Sequence, residues 1–197
     1  MLVRTLSILS ISLLVAGHSA MAAVPTELIN MYNQAAQGDE DKTEEVYKAL
    51  SSLIEKEGAS ALGLVYLGGS ETLLGRDAFL PWNKMKYVEK GVAKIDKGLS
   101  LIDADFASPD LVMGLPENYL ARANAAAVYT GLPDMFNQFD KGYDIYLELL
   151  SREDFPSYHP AAISWVYEYA IKAAENTGDS EQANKWSEQL QTLSSAD

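Results

Sequence analysis

The chain has 197 residues, with 28 acidic and 15 basic side chains, a formal charge of −13, two histidines and no cysteine. That balance repels a phosphate backbone and an anionic membrane surface, and no long Lys/Arg run makes a local exception, so nucleic acid is not expected as a partner. The missing cysteine excludes thiol catalysis, a disulfide scaffold and a lipid-anchored export signal, leaving core packing to hold the fold.

The first element is a targeting segment. Arg4 supplies a positive charge, Leu6 to Ala16 form a short apolar run, and Ala20-Met21-Ala22 put small residues where a signal peptidase reads them. Cleavage after Ala22 is expected, with residues 1–22 as signal peptide and 23–197 as a single periplasmic or secreted domain. The apolar run is shorter than the ~20 residues that span a bilayer, and no later segment is long and apolar enough, so no membrane insertion is expected after cleavage. Losing Arg4 and no acid moves the formal charge from −13 to −14.

Val24 to Gln37 places Leu28, Met31, Tyr32 and Ala35 on one helical face and ends at Gly38. Asp39-Glu40-Asp41 then suits the positive start of a second helix, which turns Val46, Leu50, Leu53 and Ile54 inward and stops near Gly58. Ser60 caps a third helix through Leu64, Val65, Leu67 and Leu73 to Gly75, with Gly63, Gly68 and Gly69 inside it. Each glycine costs a helix interior about 1 kcal/mol, so either the backbone approaches a neighbour closely or the helix breaks at Gly68-Gly69; close packing is the preferred reading.

Pro81 opens a fourth helix whose stripe is Met85, Val88, Val92, Ile95, Leu99 and Ile102. Asp103 to Leu115 forms the longest connection. Pro116 starts a fifth helix through Tyr119, Leu120, Ala123, Ala127 and Val128, broken by Gly131-Leu132-Pro133. Phe136, Phe139, Tyr143, Tyr146, Leu147 and Leu150 mark a sixth, ended at Phe155-Pro156. Pro160 opens a seventh with Ile163, Val166, Tyr167, Ala170 and Ala174 inward, and Ser180 caps an eighth carrying Ala183, Trp186, Leu190 and Leu193. No alternation persists long enough for a strand, so the expected class is all-α.

Ala161 to Leu190 reads as two helices folded back through Asn176-Thr177-Gly178-Asp179. Tyr167, Ala170, Gly178-Asp179 and Ala183 make this hairpin resemble a tetratricopeptide repeat, with Ile171 where that family has a small residue and Trp186 one place before its aromatic. Thr43 to Gly75 and Pro81 to Gly131 are similar in helix length and in ending with turn formers. Gly75 to Ala78, Lys84 to Leu99 and Pro116 to Arg122 look like exported bacterial proteins of tetratricopeptide-like type. The resemblance implies antiparallel helical hairpins stacked as a short α-solenoid that binds protein segments or short ligands, with the last hairpin as a solvent-facing cap. It implies no catalytic residue and no cofactor.

Catalytic and metal motifs find little support. His159, the one histidine after the signal, sits between Tyr158 and Pro160, with no Gly-x-Ser-x-Gly turn to serve, and one histidine cannot make a zinc site. Asp103-Ala104-Asp105-Phe106-Ala107-Ser108 starts like a calcium loop but has Ser108 where glycine is needed and Gly114 where a bidentate glutamate belongs. Glu117 and Glu168, on aromatic-lined helices, are the carboxylates a glycan-cleaving enzyme would use.

The candidate binding set is Arg76, Trp82, Lys84, Tyr87, Tyr119 and Arg122, with Lys86 and Tyr129 nearby. If the third to fifth helices stack in sequence, these cations and aromatics line one groove for a ligand with a carboxylate and an apolar group. In the competing reading, the cations pair with Asp77, Glu89 and Glu117 while the aromatics fill the core. Three functions follow: a non-catalytic periplasmic binding or scaffold protein for a protein or peptide partner, a small-molecule-binding accessory subunit of a transporter, and a cell-wall-directed glycan-cleaving enzyme.

Overall fold

A computed structural model describes residues 23–102 and 107–195. The signal segment and the start of the calcium-like loop lie outside the described residues. Among the described residues eight α-helices run in order: α1 (Thr26–Ala36), α2 (Glu40–Glu57), α3 (Ala61–Asp77), α4 (Pro81–Leu99), α5 (Glu117–Gly131), α6 (Phe139–Leu150), α7 (Pro160–Thr177) and α8 (Ser180–Ser194). Each helix packs on the next along the chain, most closely α3 with α4, α5 with α6 and α7 with α8, while α1, α3, α5 and α7 also touch one another in succession. The result is an all-α array of stacked helical hairpins.

The tightest contact divides the chain differently from the sequence reading, which ended one hairpin at Gly75 and began another at Pro81. The true hairpin is α3 with α4, and backbone proximity is the reason. A Cβ placed on Gly68 would lie 2.5 Å from the Gly91 carbonyl oxygen, and one on Gly91 2.5 Å from that of Gly68. Likewise a Cβ on Gly98 would lie 2.8 Å from the Ala61 carbonyl oxygen and one on Gly75 3.0 Å from that of Lys84. Ala61, Gly68 and Gly75 thus meet Gly98, Gly91 and Lys84 in antiparallel order, seven residues apart on each helix. A seven-residue period keeps one seam of each helix facing its partner, and absent side chains let the two backbones touch there.

Helix α3 is therefore unbroken through Gly68-Gly69, as close packing requires, and every residue from Leu62 to Thr72 is buried. A helix that is apolar on most of its faces belongs in the interior, and the buried hydroxyls of Ser70 and Thr72 are bonded to the carbonyls of Tyr66 and Gly69. Gly69 serves the opposite face, where a Cβ would meet the Tyr32 hydroxyl of α1 at 2.5 Å. Tyr32 stacks edge-on to Tyr66 at 4.9 Å and donates to Oδ1 of Asn124 at 3.3 Å, joining α1, α3 and α5 through buried side chains. Buried Glu71 takes Lys94 of α4 as its counter-ion across the seam.

Several local expectations need correction. A two-residue strand pair exists, β1 (Leu111–Val112) against β2 (Leu115–Pro116), joined by Met113 and Gly114 at φ 54° and 83°. Two successive positive φ values make the tight hairpin turn that matches strand twist, a signal too short for periodicity to register. Asp179, not Ser180, caps α8, accepting from the Gln182 amide at 3.1 Å after Gly178 turns left-handed. Phe136 falls in a separate 3-10 turn, Ile102 lies beyond the end of α4, and Met85 and Leu147 are exposed.

Burial raises the phenols of Tyr32 and Tyr146 strongly, and that of Tyr66 to about 12 despite the hydrogen bond to Asn124. The folded chain thus keeps protons that an unfolded chain releases near pH ~10. Their contribution to stability is complete below that pH and is lost as pH rises through the folded values. Urea midpoints should hold up to about pH 10 and fall steeply above it, with phenolate absorbance rising in step with unfolding; phenolate absorbance at the solvent-exposed pKa without unfolding would contradict the burial.

Gly68→Ala or Gly91→Ala should each lower unfolding free energy by about 3 kcal/mol in urea titration, the upper range for forcing a methyl into a packed interior. Gly131→Ala, whose Cβ meets nothing within 4 Å, should instead gain about 0.5–1 kcal/mol.

Candidate functional site

The link from α3 to α4 is short. Ala78 is extended, Leu80 precedes α4, and Pro81 begins its first turn. This compact turn pushes Phe79 into solvent at 93 % exposure, with Trp82 at 66 % and Met85 at 43 % on the first turns of α4. Beside it lies an open groove of about 930 Å³ between α2, the end of α3 and the start of α4. Tyr47, Leu74, Phe79, Leu80 and Tyr87 supply apolar and aromatic walls, and the acids Glu40, Asp41, Glu44 and Asp77 outnumber Lys48 and Lys90 along the rim.

The two cations proposed for binding here are engaged in holding the turn. Arg76 donates from Nε and Nη2 to the Asp77 carboxylate at 2.6 and 3.0 Å, and from Nη1 to the Ala35 carbonyl at 3.0 Å, so it closes the end of α1 onto α3. Asp77 beside it raises the guanidinium pKa further. Lys84 donates to the Arg76 carbonyl at 3.0 Å, satisfying the C-terminal end of α3. Tyr87 is half-buried in the groove wall. The pairing of Arg76 with Asp77 follows the competing reading, while Trp82 stays outside the core.

Tyr119 and Arg122 belong elsewhere. Tyr119 is fully buried at the start of α5, donates to Asp154 at 2.8 Å, and sits in an aromatic cluster with Phe155 and Tyr158 at 6.2 and 6.0 Å. Arg152 lies over its ring at 5.1 Å. Burial first, then Asp154, pushes the Tyr119 phenol up to about 12. This is interior, tying α5 to the α6–α7 connection. Tyr129 is likewise interior and donates to Asp96.

Arg122 is 5 % exposed on α5 and lines a second cleft, of about 500 Å³, with Leu99 and Ile102 at the end of α4 and Asp140, Asp144, Ile145 and Glu148 along α6. Its Nη2 pairs with Glu148 at 2.5 Å. Lys84 and Leu99 stand fifteen residues apart on α4, ~22 Å at 1.5 Å per residue, so the six candidate residues do not form one groove. They divide into the α3–α4 turn, the aromatic cluster and the Arg122 cleft. Phe79 and Glu148 escaped the sequence reading because neither sits on an apolar stripe; the signal for Phe79 was a bulky apolar residue stranded between two helices.

The remaining candidates find no common site. His159 caps α7, its Nδ1 accepting from the Ala161 amide at 3.2 Å. Burial, then Asp110, raises the Glu117 carboxyl. Glu168 is exposed midway along α7, and neither glutamate lines either cleft. Among the described residues no group of three or more acidic or histidine side chains is placed to hold a metal ion, and no helix is long and apolar enough to cross a membrane. No family model, curated protein or solved structure matches the chain.

Replacing Arg76 by Met should reduce stability by about 1 kcal/mol in urea titration, chiefly through the lost hydrogen bond to the Ala35 carbonyl, which keeps the Gly38 amide at 3.1 Å, since the exposed pairing with Asp77 contributes little. An unchanged midpoint would show that the guanidinium does not close α1 onto α3.

Proposed function

We infer that the protein is an exported, non-catalytic, tetratricopeptide-like adaptor of the bacterial envelope that holds a protein or peptide partner at the α3–α4 turn. The observation that carries this reading is the exposure of Phe79 and Trp82 on a rigid turn beside a groove with aromatic walls. Aromatic side chains held out in solvent lose little conformational freedom on binding and contribute most of the energy where they enter a partner's pocket. Contiguous exposed apolar surface of this kind marks interaction sites.

Charge selects the partner. Of the acids on the rim, Glu44 and Asp77 are paired with Lys48 and Arg76, leaving Glu40 and Asp41 against Lys90 across the groove, and the whole chain is strongly negative. Lys48 is already held by Glu44 at 2.6 Å, so it neutralises that acid rather than attracting an anion. The complementary segment is an apolar anchor flanked by lysine or arginine, steered by the negative field and seated by the aromatics. The transporter-subunit reading is a second one, favoured by the separate cleft at Arg122.

Random peptides displayed and selected on the mature chain should converge on one or two aromatic or aliphatic anchors with neighbouring basic residues. Binding should weaken severalfold between low and physiological salt, and should fall at least tenfold with Phe79→Ser combined with Trp82→Ser. Enrichment of acidic sequences, or full binding to the double variant, would overturn the assignment.

A further inference from the structure

We propose that the cleft between α4, α5 and α6 is a second binding site, for a short zwitterionic peptide whose C-terminal carboxylate displaces Glu148 from Arg122. The Arg122 side chain is only 6 % exposed, yet its one ion pair is made by Nη2, and Nη1 has no hydrogen-bond partner among the described residues. Guanidinium groups are buried where their fork is filled, because each unmet N–H keeps its desolvation cost. Here one oxygen of one carboxylate serves one nitrogen, and the side chain supplying it is 55 % exposed. Glu148 is therefore placed as an internal substitute: able to swing into solvent, and leaving a two-pronged seat for a carboxylate that meets both nitrogens.

The rest of the cleft defines the other end of the ligand. Asp144 and Asp140 follow Glu148 back along the same face of α6, about 6 and 12 Å away at 1.5 Å per residue. Both line the cleft, and neither has an ion-pair partner among the described residues. Lys141 between them also lines the cleft, but its ammonium is drawn to Asp96 and lies 4.9 Å from the centre of the Tyr129 ring, so the acids still outnumber the unpaired cations there. An anion alone would be repelled by these acids; a molecule with an amine at one end and a carboxylate at the other is attracted at both.

The spacing sets its length. An extended chain covers about 3.3–3.6 Å per residue, so two or three residues match the rise along α6 from Glu148, whose place the carboxylate takes, to Asp144 or just short of Asp140. Leu99 and Ile145 line the cleft between these charged ends and favour apolar side chains. The volume of about 500 Å³ suits a molecule of that size.

Calorimetry on the mature chain with leucyl-leucine, its N-acetylated form and its C-terminal amide tests the site. Leucyl-leucine should bind one to one, and blocking either end should weaken it at least tenfold. Glu148→Gln should tighten binding of the free dipeptide about threefold or more by removing the competing carboxylate. Asp144→Asn, on the exposed face of α6, should weaken leucyl-leucine at least threefold while leaving the already weak N-acetylated form unchanged, a selectivity that a folding defect would not produce. No saturable binding by the wild-type chain, equal affinity for free and blocked forms, or an Asp144→Asn effect that ignores the amine would each overturn the proposal. Loss of the Phe79 and Trp82 surface should leave this binding intact, which separates the two sites.

Discussion

The backbone-to-backbone contact of Gly68 with Gly91 is the constraint on which the rest of the structure depends. Two helices that touch through their carbonyls have little freedom to slide or rotate, because any shift brings a side chain into a space that admits none. That locks the register of α3 against α4 and, through it, the place of each helix that packs on α3. Tyr32 presses on Gly69 from the other side, and Asn124 reaches Tyr32 from α5. A central helix with hardly any solvent-facing surface is surrounded in this way, and the array grows outward from it.

Both candidate surfaces are consequences of that seam. At one end of α4 the short link back to α3 leaves no room to tuck Phe79 inside, and Arg76 and Lys84 are drawn into closing helix ends rather than facing a ligand. What remains exposed is aromatic surface on a stiff support, which suits recognition because little order must be created on binding. At its other end α4 places Leu99 beside α5 and α6, where a Cβ on Gly142 would lie 2.9 Å from the Ala126 carbonyl oxygen, so the glycine lets α6 close against α5. The cleft at Arg122 is the space left where these closely packed pairs diverge.

Much of this was legible in the chain and some was not. Periodicity located all eight helices, and the cost of glycine inside a helix pointed to close packing at Gly68. The partner was obscured because the matching glycines, Gly91 and Gly98, lie across the link where the chain had been divided into hairpins; reading the seven-residue spacing through both helices recovers it. The cap at Asp179 was masked by a neighbouring serine of equal propensity. The candidate site suffered most, since sequence groups residues by proximity along the chain. Arg122 sits three residues from Tyr119, one turn further along nearly the same face, yet it lines a cleft toward α4 and α6 while Tyr119 is sealed by Phe155 and Tyr158 of the next connection.

The central claim is the register of α3 on α4, and nuclear Overhauser contacts between α-protons test it most directly. Such contacts between two helices arise only where the backbones nearly touch. The account predicts cross-peaks joining Gly68 to Gly91 and Ala61 to Gly98 in the same spectrum. Their absence, or a set shifted by three or four residues, would contradict the seam and with it the placement of both surfaces.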